Sequence, residues 1–124
     1  MNDIPIRIEV ETAYLDHQSD PTGGRYAFAY SITIRNDGLV AARLLSRHWI
    51  ITDADGGVQE VRGEGVVGEQ PLIRPGEGFR YSSGAILPTP VGSMRGAYQM
   101  VDEAGHEFEA PIAAFTLARP GALH

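Results

Sequence analysis

Residues 63–68 read Gly63-Glu64-Gly65-Val66-Val67-Gly68, the G-x-G-x-x-G spacing that lets a backbone approach a pyrophosphate at the N-terminus of a helix. That chemistry requires the helix, whose free amides and dipole hold the negative charge. Pro71 and Pro75 follow too closely for a helix to start, and Glu64 and Glu69 would repel a phosphate. Gly63, Gly65 and Gly68 are therefore expected to supply positive φ at a bulge or at a crossing between sheets. A second candidate contact is Arg47-His48-Trp49. If Trp49 faces the core of a strand, Arg47 faces it too, unless the strand is bulged. Arg47 is expected to pair with a buried carboxylate; contact with an anion or a partner is the alternative.

Other chemistry fails on residue type or spacing. Asp53-Ala54-Asp55-Gly56-Gly57 with Glu64 has the outline of a calcium loop, but Gly57 stands at the third ligand position and Val58 where the turn glycine belongs, so a hairpin turn is expected. His17, His48, His106 and His124 show no metal-ligand spacing. Glu9 with Glu11 and Glu107 with Glu109 share strand faces and are read as solvated sides. Ser82, Ser83 and Ser93 lack a nucleophile elbow. The chain has no cysteine and all ten basic residues are arginine, which excludes thiol chemistry, a Walker-type loop and Schiff-base chemistry. No catalytic residues, cofactor or metal site are expected.

The elements that must position these residues follow from alternation. The 124 residues are 43% hydrophobic, enough for one domain with one core. Ile4, Ile6, Ile8 and Val10 alternate with Arg7, Glu9 and Glu11, and Tyr26, Phe28, Tyr30, Ile32 and Ile34 form a second apolar face that ends at Asn36-Asp37-Gly38. From Val40 to Ile51 a bulged strand is preferred to a helix, because Trp49-Ile50-Ile51-Thr52 is aromatic and β-branched. Val58 to Arg62 returns from it. Pro75-Gly76 is a type II turn before a strand over Phe79 and Tyr81. Met94 to Met100 and His106 to Leu117 close the chain, with residues 118–124 as a tail. About seven short strands with no capped helix read as an all-β antiparallel immunoglobulin-like sandwich. Gly96-Ala97-Tyr98-Gln99-Met100 has the order of a tyrosine corner, and Trp49 is the expected core indole. The formal charge of −6 is evenly spread, without a basic face, so neither nucleic acid nor an anionic membrane is an expected partner. The first residues lack a signal-peptide pattern, and a cytoplasmic protein is the simplest reading.

Leu44-Leu45-Ser46-Arg47-His48-Trp49, Asp53-Ala54-Asp55-Gly56, Val61 to Pro71, Pro75-Gly76-Glu77, Tyr81-Ser82-Ser83-Gly84 and Gly92 to Met100 together resemble the ApaG family. The likeness extends over nearly the whole chain, to Phe115-Thr116-Leu117. It implies a fibronectin type III-like or immunoglobulin-like sandwich in a single domain, ordered over about residues 4–117. It also implies an interaction module, since such domains occur in eukaryotic F-box and polymerase-interacting proteins. Bacterial members are associated genetically with cobalt and magnesium resistance or efflux and with the operon of diadenosine tetraphosphate hydrolase, without a settled catalytic mechanism. The family's glycine motif, which has prompted pyrophosphate-binding proposals, falls on Gly63, Gly65 and Gly68. The expected partner is a protein, with weak nucleotide, pyrophosphate or divalent-cation binding as the alternative. Oligomeric state is open, the sandwich edges being the route to a homodimer. Ala113-Ala114 departs from the proline often found before the position of Phe115, which bears on local edge geometry alone.

Overall fold

The protein is described here by a computed structural model covering residues 5–122. The strands are β1 (Ile6–Tyr14), β2 (Tyr26–Asn36), β3 (Ala42–Asp53), β4 (Val58–Glu64), β5 (Leu72–Ile73), β6 (Gly78–Leu87), β7 (Val91–Asp102) and β8 (Glu107–Ala118). They form two antiparallel sheets, β1-β2-β6 facing β4-β3-β7-β8, with β5 paired to the start of β3. The eighth strand, beyond the seven expected, is the two-residue β5. Ile4 and His124 lie outside the described residues. Two single-turn 3-10 segments, Asp16–Gln18 and Pro21–Gly23, sit in the β1–β2 connection, and His17 is exposed on the first.

Alternation places the core between the sheets. Phe28, Ile32 and Ile34 of β2 face Trp49, Met94, Tyr98, Met100 and Leu117, all with almost no exposure. Trp49 is the central indole. The rings of Tyr30, Tyr98 and Phe115 surround it edge-on or nearly so at centroid distances of 5.5, 6.3 and 5.8 Å, the geometry in which a positive ring edge meets a negative face. Its indole N–H is buried without a hydrogen-bond partner among the described residues.

β3 changes face part-way along. Ala42 and Leu44 point inward, yet so do Trp49 and Ile51, an odd-numbered pair. The register against β7 steps from Leu44↔Met100 to Ser46↔Gln99, so Leu45 is an extra residue that reverses the alternation beyond it. The expected bulge is present, and Arg47 turns inward with Trp49.

The tyrosine corner needs correction. Tyr98 lies within β7, fully buried, and its hydroxyl meets the Tyr81 hydroxyl of the opposite sheet at 2.5 Å rather than a backbone carbonyl upstream. This bond ties the two sheets together through the core. Burial, partly offset by the hydrogen bond from Tyr98, pushes the Tyr81 hydroxyl up to about 12, and burial followed by the neighbouring Tyr81 raises Tyr98 as well. A phenol that holds its proton more tightly when folded contributes stability that is complete below the unfolded pKa near 10 and is lost as pH climbs through the folded value. Urea unfolding is expected to show stability falling between pH 10 and pH 12 by up to about 1.4 kcal/mol per pH unit for each phenol. The slope should be shallower in Tyr81→Phe; an unchanged slope would show that the buried pair does not control alkaline stability.

Candidate functional site

The glycine-rich segment leaves β4 and turns back toward β5, so it joins strand to strand and no helix follows it. Gly63 is the register partner of Arg47. Because both positions face inward, the Arg47 guanidinium lies over Gly63, where a Cβ would stand 2.8 Å from Nη1 and 2.9 Å from the central carbon. Nη1 then donates to the carbonyl oxygens of Glu64, at 3.1 Å, and Gly65, at 2.9 Å. Arg47 thus meets carbonyl oxygens where a carboxylate was expected, and it fastens the start of the loop.

The rest of the loop is held from the bulge. The Gly65 amide donates to the Leu45 carbonyl at 2.8 Å, and Gln70 Nε2 donates to the same oxygen at 2.9 Å. Val66 and Glu69 exchange two backbone bonds, at 2.8 and 2.9 Å, around the central pair Val67-Gly68. Both central residues have positive φ, 45° at Val67 and 81° at Gly68, as a two-residue turn of the I′ kind demands. Glycine suits that geometry; a β-branched residue there is strained, and Val67 is the one non-glycine residue with positive φ among those described.

The three motif glycines therefore have three different reasons. Gly63 clears space for Arg47 and does not have the positive φ expected of it. Gly65 combines φ +61° with an approach so close that a Cβ would stand 2.2 Å from the Glu69 carbonyl oxygen. Gly68 needs its φ alone, since nothing lies within 4 Å of a Cβ there. Beside the turn is a depression of about 370 Å³ lined by Glu64, Gly65, Gly68, Glu69 and Gln70. Two of its walls are carboxylates, and the amides of Gly65, Val66 and Glu69 are already donated within the protein.

His48 does not join Arg47. Neighbours on a strand face opposite ways, and His48 lies on the outer face, where Nε2 sits 2.8 Å from Glu60 Oε1. The histidine's hydrogen bond holds the Glu60 carboxyl below its ordinary range. His106 is exposed, 3.5 Å from Asp102. Among the described residues no three His, Asp or Glu side chains gather into a metal site. Asp53 accepts the amides of Asp55 and Gly57, at 2.8 and 2.9 Å, so the calcium-like segment is the hairpin turn expected of it. No described helix is long and apolar enough to cross a membrane.

The sequence reading missed four exposed apolar side chains, in the connections that precede β3 and β5 and at the start of β5. Leu39 is 95% exposed, Val67 54%, and Val40 and Leu72 38% each. They are spread along the first part of β3: Val40 precedes the strand, Leu72 pairs with Arg43, and the turn that carries Val67 is held from Leu45. The sequence signal was the placement of Leu39-Val40 directly after the turn residues Asp37-Gly38, outside any alternating run.

The family model for the ApaG domain matches residues 16–102, from the end of β1 through β7, and so takes in the bulge, Arg47 and the whole glycine-rich turn. The chain belongs to the ApaG domain family. Protein ApaG of Thiobacillus denitrificans is 67% identical over 119 residues, which cover 96% of this chain and 94% of that protein. Protein ApaG of Azotobacter vinelandii is 62% identical with the same coverage. A crystal structure of a Bordetella pertussis protein, 53% identical, superimposes with a TM-score of 0.93 over 95% of this chain and 96% of its own. The antiparallel sandwich is thus shared with the Bordetella pertussis structure.

The geometry of this ApaG turn grades its substitutions. Gly65→Ala should cost about 3 kcal/mol or more, since a backbone carbonyl must move, whereas Gly68→Ala should cost about 1 kcal/mol through φ alone. Val67→Asn should raise stability by about 1 kcal/mol by relieving the β-branched strain. Urea midpoints of the three variants check this order, and equal losses for the two alanine variants would contradict it.

Proposed function

We propose that this ApaG chain is a non-enzymatic interaction and regulatory module of the cytoplasm that docks a protein partner on the surface around the Val67 turn. The observation that carries the reading is the exposure of Val67 in a strained turn, with Leu39, Val40 and Leu72 also exposed along the first part of β3. Strain retained at an exposed apolar residue indicates a use beyond folding. The committed amides and the two carboxylates of the neighbouring depression weigh against a pyrophosphate cradle. A connection to cobalt and magnesium handling would then pass through the partner rather than through a cation held by this chain.

Tagged wild-type protein, Val67→Asn and Leu39→Ser can be crosslinked in cells and their partners compared. One partner should be captured by wild type and reduced at least fivefold in both variants, whose melting temperatures should be no lower than wild type. Capture unaffected by either substitution would place the contact elsewhere. In parallel, pyrophosphate, cobalt and magnesium are each expected to leave the wild-type melting temperature unchanged. A rise of several degrees with any of them would reveal a site that stabilises the fold by mass action and would overturn the reading.

A further inference from the structure

Besides the two-residue β5, four strands end the two sheets: β1 and β6 in one, β4 and β8 in the other. An end strand presents unpaired N–H and C=O groups, which proteins protect from stray pairing with charge, proline, bulges or cover. Three of these edges are protected. β1 carries Arg7, Glu9 and Glu11 and packs along β8. β4 carries Glu60, Arg62 and Glu64. β8 contains Pro111 and a register irregularity opposite Met94 to Gly96.

β6 is different. From Tyr81 to Leu87 it has no charge and no proline, and its register with β2 runs without a break from Tyr26↔Leu87 to Arg35↔Gly78. Ser82, Ser83, Gly84 and Ile86 are exposed. The sheet that β6 ends is also narrower than the one it faces, three strands against five, four of them side by side as β4-β3-β7-β8. Past β6 the inner faces of β3 and β4 are left partly uncovered. A cavity of about 440 Å³ lies there, with walls that include Phe28, Ala85, Ile51, Val61 and Gln59.

We propose that the β6 edge from Tyr81 to Leu87 binds an extended, uncharged segment of a partner protein, which adds a fourth strand to the β1-β2-β6 sheet and sends alternate apolar side chains into the cavity. The inference rests on the interaction reading above and gives that module a second, strand-mediated contact. Main-chain bonds along the edge supply affinity and the cavity selects the side chains, the division of labour of strand addition. Charge decides the occupant. The cavity walls carry no charged side chain and are apolar apart from the neutral Gln18 and Gln59 and backbone, so a charged side chain pointing inward would be desolvated without an ionic partner. A second copy of this chain does not fit the cavity, because the inward residues of its own β6, Tyr81, Ala85 and Leu87, are already buried in its own core.

Isotope-labelled protein can be titrated with an eight-residue peptide of alternating threonine and valine, and separately with one of alternating threonine and glutamate, while amide shifts and hydrogen exchange are recorded. The valine peptide should slow exchange of the β6 edge amides at least tenfold and shift the Ile51 and Val61 methyl signals; the glutamate peptide should do neither. Ser83→Lys, at an exposed β6 position, and Gln59→Lys, across the cavity, should each weaken the valine peptide at least tenfold at unchanged melting temperature. Protection at β1, β4 or β8 instead, equal effects of the two peptides, undiminished binding by both lysine variants, or concentration-dependent self-association that protects β6 without peptide would overturn the proposal. Retention of the crosslinked cellular partner by Ser83→Lys together with an inert valine peptide removes the edge contact and leaves the interaction reading standing. Absence of any partner from wild type removes both.

Discussion

Leu45 occupies a place in β3 that has no counterpart in β7, and the orientation of everything after it follows from that one insertion. A strand alternates with a period of two, so an extra residue exchanges the two faces. Beyond the bulge Trp49 enters the core, and Arg47 must enter with it. The guanidinium is then placed against Gly63 of β4, within reach of the Glu64 and Gly65 carbonyls. The Leu45 carbonyl, turned out of the regular ladder, receives the Gly65 amide and the Gln70 side chain. One irregularity thus sets the core indole and anchors both sides of the glycine-rich turn.

An arginine directed into a sandwich would ordinarily require a carboxylate to offset its desolvation. Here main-chain carbonyls serve, at a position only partly buried. The arrangement converts a G-x-G-x-x-G pattern into a hairpin in which the amides of Gly65, Val66 and Glu69 are spent on the protein itself. What projects from it is a valine held in a backbone region that valine disfavours. The spacing is that of a phosphate-binding loop; the surroundings are a strand-to-strand connection with an exposed apolar tip.

Much of the fold could be read from the sequence because alternation is a local signal. The Tyr26 to Ile34 run gave β2 nearly to its ends, Pro75-Gly76 gave its turn, the dense Val40 to Ile51 pattern allowed for a bulge, and Arg47-His48-Trp49 put Arg47 on the inward face with Trp49. Long-range pairing was not legible in the same way. Nothing local tells that Tyr98 will find Tyr81 across the core, so a Gly-x-Tyr pattern suggested a corner that does not form. Leu72-Ile73 is too short to show a period. The glycines were assigned one shared conformational reason, and the structure separates them, because a close approach by Arg47 from a neighbouring strand leaves no mark in residues 63–68. Val67 could have been suspected from its place before Gly68 in a turn, but valine argues by propensity against the conformation it adopts.

The dependence of the turn on Arg47 is most directly tested by a double-mutant cycle of Arg47→Ala and Gly63→Ala, with stability measured by urea unfolding. Gly63→Ala displaces the guanidinium in the otherwise wild-type protein, so it should cost about 1–2 kcal/mol through the lost hydrogen bonds to Glu64 and Gly65. In the Arg47→Ala background the same substitution meets no guanidinium and should cost less than about 0.5 kcal/mol, a coupling well above the error of additivity. Equal costs in both backgrounds would contradict the account, since Gly63 would then be needed for a reason other than the arginine above it.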